Sequence, residues 1–545
     1  MDNIERSIFT MKKILSLVLV LIMLLSVSVA LADTAPLIGK GTSPEDPLFD
    51  PALGLTLTVY TTNGWGEDSK PDFNMVKEWI EARTGLTLNF VYTSADDYLQ
   101  KMNLMFVSGE HFDAFTDGGT ISARGLQGMY DDGLILDISP YLEEYGQNLT
   151  RYMGKGYDYV RATDGAILSI PKRISNHRGN TPCIRGDWVE KAGMDHLPAT
   201  LEELEAYFEY VKNNDVNGNG DPNDEIPFLP TGFGNMNSCL KGLFMGPDGV
   251  ASKNTVGTTN LFGSFLAEDG TVKSLPDSPY FMNYLDHMRD WYQKGYIYPE
   301  FMTVTTSQVN DMVTADRVGL TAQWYSSQVR PFQAVEEADP SKHYEILPLI
   351  AVEGIDSCYS EGNEYQGVIQ VSATSEHPEV VIAYWDWMLS DPDINATVWN
   401  GIQGVHWEWA DKDNFVFSTL PGGESKYFKC FQAVTQFDAE DQFLYANPDN
   451  YIAIKYDKYL RDLNSDTRKY VEPFGLKVPF TKVGTDLEFM SNDGPTLLEE
   501  NASSYILGTI DRAAMENAIK EYDAIYGDVY SQVYTEQYNA WLAAQ

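Results

Sequence analysis

An alternation near the start of the chain constrains the fold most. Leu55, Thr56, Leu57, Thr58 and Val59 alternate apolar and polar, as a half-buried strand does. Residues 74–82 have helical spacing, with Met75, Trp79 and Ala82 on one face. Residues 86–91 predict a second strand, 95–107 a second helix and 112–115 a third strand. Strand–helix–strand–helix–strand builds a parallel sheet with helices on its faces. Such sheets bind ligands beyond the carboxyl ends of their strands. The loops after the first and third strands, which carry Trp65 and Asp117, are therefore expected at a binding site.

A second stretch points to a metal. Asp215, Asn217 and Asn219 place oxygen-bearing side chains at alternate positions. Gly220 follows, where a tight turn needs no Cβ, and Asp224 and Glu225 close the run. Hard cations such as Ca²⁺ take roughly six to eight oxygens, and a loop of this kind wraps one. Positions one, three, five and six of an EF-hand loop are matched, but position twelve is Ile226 rather than Glu. The expected ligands are Asp215, Asn217, Asn219, the backbone carbonyl of Asp221, and Asp224 or Glu225. A closed oxygen cage implies a structural role. The alternative is an acidic surface turn without metal. Thr200 and Glu203 form a capping box, and Leu201, Leu204, Phe208 and Val211 recur at helical spacing, so a helix feeds the loop.

Lys12 and Lys13 precede an apolar run from Ile14 to Leu31, and Ala30 and Ala32 give a small–x–small cleavage pattern. Residues 1–32 read as a signal peptide, with an uncleaved membrane anchor as the alternative. No cysteine lies near the cleavage position, so a lipid anchor is not supported. Residues 33–53, rich in Pro, Gly, Asp and Thr, read as a flexible N-terminal arm. The destination is extracellular: secreted, on the cell surface, or periplasmic.

The net charge of −41 makes nucleic acid and anionic membranes poor partners. An anionic small ligand stays open, since a local basic pocket overrides net charge. Cys183, Cys239, Cys358 and Cys430 are scattered without metal-ligand spacing; buried free thiols are favoured over a disulfide. No Gly-x-Ser-x-Gly, His-Glu-x-x-His, P-loop or dinucleotide fingerprint occurs. The chain reads as one that binds and releases without making bonds, and a monomer is expected.

One ordered set of segments has a counterpart in a known family. Ile184, Arg185, Asp187 and Trp188, then Pro198, Thr200 and Glu203, then the helix and the 215–225 loop ending in Ile226 and Pro227, resemble the extracellular solute-binding proteins of ABC importers. Within these the chain is similar to the oligosaccharide-binding branch, LipO-like and alginate-binding-protein-like. Residues 165–171, 365–389, 401–408 and 506–511 extend the resemblance over most of the chain. The family's calcium loop closes one residue earlier, so an extra residue sits between Gly220 and Asp224.

The resemblance implies an α/β, two-lobed, periplasmic-binding-protein-like fold (class II) with an interlobe ligand cleft. Lobe one would take 50–176 and 346–404; lobe two would take 177–345 and 405–545, with the calcium loop 215–225. The implied function is capture of an oligosaccharide for delivery to ABC transporter permease subunits, with no reaction. An extracellular glycan-active enzyme and a ligand-sensing protein feeding a receptor are the alternatives.

Sugars present flat C–H faces and rings of hydroxyls, which call for aromatic platforms and planar polar groups. Trp65, Trp324, Tyr325 and Trp407 are the expected platforms. Asp117, Arg185, Asp187, Glu361, Gln366 and Glu408 are the expected hydrogen-bonding groups. Arg173, with Lys172 and Arg178, would favour an acidic sugar. Arg185, Asp187 and Trp188 have a second reading, as residues that cap and pack the second lobe.

Overall fold

The computed structural model describes residues 35–62, 72–93, 95–116, 125–173, 180–250, 263–360, 365–413, 416–421 and 493–544, with short pieces between 444 and 490. Its two main sheets are built from β1 (Thr56–Thr62), β2 (Thr87–Thr93), β3 (Ala114–Thr116), β4 (Ile170–Arg173), β5 (Asn180–Arg185), β6 (Ile226–Pro230), β7 (Val318–Trp324), β8 (Tyr344–Ile346) and β9 (Tyr365–Val371). The signal segment, Arg178 and Cys430 lie outside the described residues. Among the described residues no helix is long and apolar enough to cross a membrane.

The first sheet has the order β2-β1-β3-β9-β4. β1 lies parallel to β2 and β3, with Thr56 opposite Thr87 and Val59 opposite Ala114. The helices Phe73–Thr84 and Ala95–Ser108 make the two crossovers, as the sequence alternation requires. β9 then enters antiparallel between β3 and β4. Leu57, Val59, Val76, Ile80, Ile382, Trp385 and Trp387 meet in the core of this lobe.

The second sheet has the order β8-β5-β7-β6. β6 is parallel to β7, while β5 and β8 are antiparallel to their neighbours. Its core gathers Trp188, Phe208, Phe228, Leu240, Tyr284 and Trp291 with Leu498, Tyr505, Met515 and Tyr526 from the C-terminal helices. The sheets are joined where β4 is followed by β5, and again where the chain passes from β8 to β9. The result is two α/β lobes, and the chain passes between them a third time before its C-terminal helices, which pack in the second core.

The structure corrects two expectations. The arm before β1 is not loose where it is described. The N–H groups of Leu48 and Phe49 donate to the carbonyls of Arg83 and Thr84 at 2.9 and 3.0 Å. Trp387 Nε1 donates to Gly41 O at 3.0 Å, and the Ala35 N–H donates to Glu379 Oε1 at 2.9 Å. Phe49 is buried in the lobe-one core. Gly85 makes this docking possible: its φ is +73°, and a Cβ there would lie 2.1 Å from Phe49 O. The second correction concerns the switch to lobe two at residue 405. Trp407 belongs to the lobe-one core, and Trp409 Nε1 donates to Asp393 Oδ1 at 2.7 Å. The hairpin that begins at Trp407 stays with lobe one.

Candidate interlobe binding site

The carboxyl edge of the second sheet is fixed by buried amides. Thr231 Oγ1 donates to Gln323 Oε1 at 3.3 Å, and Gln323 Nε2 donates to Asn310 Oδ1 at 3.1 Å. Gln328 Nε2 donates to the carbonyls of Thr181 and Gln323 at 3.0 and 3.2 Å. The Gln323 amide is bonded at both ends and so holds one rotamer, which gives the ends of β6 and β7 a fixed base. On that base stands Trp324, 46% exposed. An exposed tryptophan beside polar amides has the chemistry of a sugar platform. Tyr325 follows as the first residue of the helix Tyr325–Ala338.

The corresponding edge of lobe one is tied in the same way. Thr116 Oγ1 donates to Thr61 Oγ1 at 2.7 Å, and Tyr98 OH donates to Thr116 O at 2.6 Å. These bonds join the ends of β1 and β3, from which the loops with Trp65 and Asp117 depart. Trp65, Asp117 and Glu361 lie outside the described residues. Sequence reasoning missed one pair here. His406 Nδ1 accepts the Ile402 N–H at 2.7 Å, so its Nε2 carries the proton and faces Asp72 Oδ2 at 3.3 Å. The pair pins the 401–407 turn beside the start of the helix Phe73–Thr84. The available signal was a histidine inside a glycine-flanked turn.

Arg173 and Gln366 come together at the crossing: Tyr365 pairs with Arg173 and Gln366 with Lys172 in the register of β9 and β4. Lys172 Nζ sits 5.2 Å from the centre of the Trp399 ring. Glu408 is exposed and accepts from Gln403 Nε2 at 3.2 Å.

Three expected ligand groups are structural instead. Trp407 is 1% exposed; its ring meets Trp409 edge-on, and its Nε1 donates to Gly401 O at 2.6 Å. Flanking glycines signal a loop, but the ring itself turns into the core. Arg185 is fully buried and donates from Nε and Nη2 to the two oxygens of Asp187, each at 2.8 Å. Its Nη1 bonds to Asp316, and the guanidinium lies over the rings of Trp188 and Tyr344. Burial works against its charge, but Tyr344, Asp187 and Asp316 outweigh burial and hold the guanidinium charged. Asp316, the further partner, has φ 60° and draws in Lys342 Nζ at 2.7 Å. Arg185 and Asp187 are therefore committed to the packing of the second lobe.

The 215–225 loop closes on its own oxygens. Asp215 Oδ1 accepts the N–H groups of Gly218 and Asn219 at 2.8 and 3.0 Å, and Asp215 Oδ2 accepts that of Gly220 at 2.9 Å. Asn217 Oδ1 accepts from Asn219 N, and Asn219 Oδ1 from Asp221 N, at 2.9 and 2.7 Å. The Nδ2 groups of Asn217 and Asn219 reach the two oxygens of Asp224 at 3.1 and 3.0 Å. Glu225 Oε1 accepts the Asn217 N–H at 3.2 Å, while its Oε2 is buried without a partner among the described residues. Burial pushes the Glu225 carboxyl up, opposed by the Asn217 N–H. No three Asp, Glu, His or Cys side chains gather for an ion among the described residues. Any ion in this loop therefore needs the asparagine carbonyl oxygens as well. The oxygen-rich set and the orphaned Glu225 Oε2 fit a hard cation.

Comparison with known proteins places this geometry. A family described as bacterial extracellular solute-binding protein matches residues 72–393. The fructooligosaccharide ABC transporter substrate-binding protein FusA of Streptococcus pneumoniae serotype 4 is 24% identical over 307 residues, 54% of this chain and 53% of that protein. The chain thus spans about half the length of this curated relative in the alignment. In fold, an EF-hand mutant of S. pneumoniae FusA in complex with fructo-nystose superposes with TM-score 0.65 at 18% identity, over 90% of this chain and all (100%) of that one. The alginate-binding protein AlgQ2, without calcium ion, superposes with TM-score 0.61 at 16% identity, over 92% and 99%.

Proposed function

Because the chain belongs to the bacterial extracellular solute-binding protein family, we propose that it is the substrate-binding subunit of an ABC importer. It takes an oligosaccharide between its two lobes, outside the cytoplasm, and passes it to membrane permeases without reaction. Trp324 carries this reading: an exposed ring on a rigid amide base, at the carboxyl edge where open α/β sheets bind ligands. The relatives supply the ligand class, since FusA is described with kestose and with fructo-nystose. Trp324 and Glu408 are the exposed candidates whose side chains are described, and Arg173, Gln366, Tyr325, Trp65, Asp117 and Glu361 are the further candidates from the sequence. A thermal-shift screen of the purified protein against a glycan library tests the reading. At least one oligosaccharide should raise the melting temperature and survive incubation unchanged. A response only to non-glycan solutes, or the appearance of cleavage products, refutes it.

The loop would hold one structural Ca²⁺ through Asp215, Asn217, Asn219, the Asp221 carbonyl and Asp224, with Glu225 closing it. Its role is to neutralise the loop's carboxylates and to fix the end of the helix Leu201–Asn213 against β6. Chelation should lower the melting temperature of calcium-loaded protein, and Asp215→Ala should remove that sensitivity. An unchanged melt with chelator counts against the site.

A further inference from the structure

Resting on the calcium reading above, we propose that Arg317 is a built-in competitor of the metal in the 215–225 loop. It takes part of the ion's place on Asp224 and keeps the loop closed without it.

The placement follows from the sheet. β6 begins at Ile226 and β7 at Val318, and these two residues pair in parallel. The loop and the turn at 316–317 therefore lie side by side at the amino ends of the two strands. Trp324 stands at the opposite edge. Arg317 grips the end of the loop twice. Its carbonyl accepts the Ile226 N–H at 2.7 Å, and its Nε donates to Asp224 O at 3.0 Å. The same Nε lies 3.4 Å from Asp224 Oδ2. The Arg317 N–H donates to Met312 O at 3.2 Å, which ties the turn to the helix before it.

The two acidic residues that close the loop are in opposite conditions. Asp224 is satisfied: Asn217 Nδ2 holds its Oδ1, while Asn219 Nδ2 and Arg317 hold its Oδ2. Glu225 is not: the residue is buried, and its Oε2 has no partner among the described residues. A buried carboxylate oxygen left bare calls for a cation. The loop carries four carboxylates, on Asp215, Asp221, Asp224 and Glu225. Arg317 supplies the one ion pair they make among the described residues. Lys191 also reaches the loop, but its Nζ donates to the Val216 carbonyl at 2.9 Å.

An ion that recruits Asp224 shares that carboxylate with a guanidinium. Two cations on one carboxylate repel each other, and the guanidinium keeps its charge at any ordinary pH. Arg317 therefore weakens calcium binding at every pH, unlike a competing proton. In return, the end of the loop stays fastened to β7 when the metal leaves, and one of its carboxylates stays neutralised.

Calorimetric titration of Ca²⁺ into chelator-stripped protein tests this role, with melting curves in excess chelator beside it. Arg317→Met keeps the aliphatic stem and removes the charge. It should bind Ca²⁺ about ten-fold more tightly than the parent at low salt, and the gap should narrow as salt screens the repulsion. In chelator it should melt below the parent. Arg317→Lys, which keeps the charge, should bind Ca²⁺ more nearly as the parent does. A residue that merely braced the loop would give the opposite sign, with weaker Ca²⁺ binding on its removal. Should stripped Arg317→Met fail to fold, release of Ca²⁺ from the loaded variant into a fluorescent chelator decides, and it should be slower than from the parent. Affinity in Arg317→Met equal to or below the parent's, or release as fast or faster, overturns the competitor while the calcium reading stands. If the parent takes up no Ca²⁺, or if Asp215→Ala binds it as tightly as the parent, the calcium reading falls and this one with it.

Discussion

Replacing Lys241 with methionine should stabilise the protein near neutral pH. Lys241 lies on the helix Gly232–Met245 in the second lobe, 1% exposed, and its Nζ has no hydrogen-bond partner among the described residues. Burial alone pushes its pKa down from 10.5 to about 7. In the unfolded chain the amine is in water and keeps its ordinary value. The gap is 10.5 − 7 = 3.5, which at about 1.36 kcal/mol per pKa unit is about 5 kcal/mol of lost stability. The sign follows from proton counting. Below pH 7 both states hold the proton and the full penalty stands. Between about pH 7 and 10.5 the unfolded chain holds more protons, so stability rises with pH. Above that range both states are neutral and the penalty is gone. Methionine keeps the unbranched stem and a good helix propensity while removing the charge. Urea unfolding followed by tryptophan fluorescence, at fixed calcium and at several pH values from 6 to 9, measures the effect. The variant should be about 3–5 kcal/mol more stable at pH 6, with the difference shrinking as pH rises. A variant less stable than its parent at pH 6, or one whose advantage does not change with pH, would refute the reasoning.

Other substitutions separate core from site. Trp407→Ala should cost about 3–5 kcal/mol of stability, whereas Trp324→Ala should change stability by no more than about 0.5 kcal/mol. Chemical denaturation measures both, and equal costs would show that the two tryptophans have been assigned the wrong roles. Arg185→Ala leaves the buried Asp187 carboxylate without its counter-ion and should cost about 3–5 kcal/mol; a melt within a degree or so of the parent would contradict the buried network. Gly85→Ala places a Cβ against Phe49 O, so amide exchange at Leu48 and Phe49 should speed up. Unchanged protection there would show that the segment docks in another way.

The sheets of lobe one were legible because their signals are local: period-two strands alternating with period-3.6 helices. The capping box at Thr200 and Glu203 was legible for the same reason, and both of its reciprocal bonds are present. What could not be read depends on distant partners. Arg185 looked like a ligand donor because Asp316, which occupies it, stands 131 residues away. Residues 35–53 read as loose because their composition is that of a loop, while the groups that fasten them belong to Arg83, Thr84, Trp387 and Glu379. Trp407 was misplaced because glycines on its N-terminal side describe the backbone and not the direction of the ring. Trp324 was expected to be accessible from its place at the end of a strand, and it is the one exposed residue of that otherwise buried strand.

The fastening of residues 35–53 has a mechanical consequence. The beginning of the described chain is riveted to lobe one, while the helix Asp528–Ala544 rides on lobe two. On the proposed mechanism, a leash attached ahead of Ala35 would hold lobe one and leave lobe two as the moving jaw. A donor dye near residue 40 and an acceptor near residue 540 would sit on opposite bodies, and the transfer between them would serve as a ruler of jaw opening.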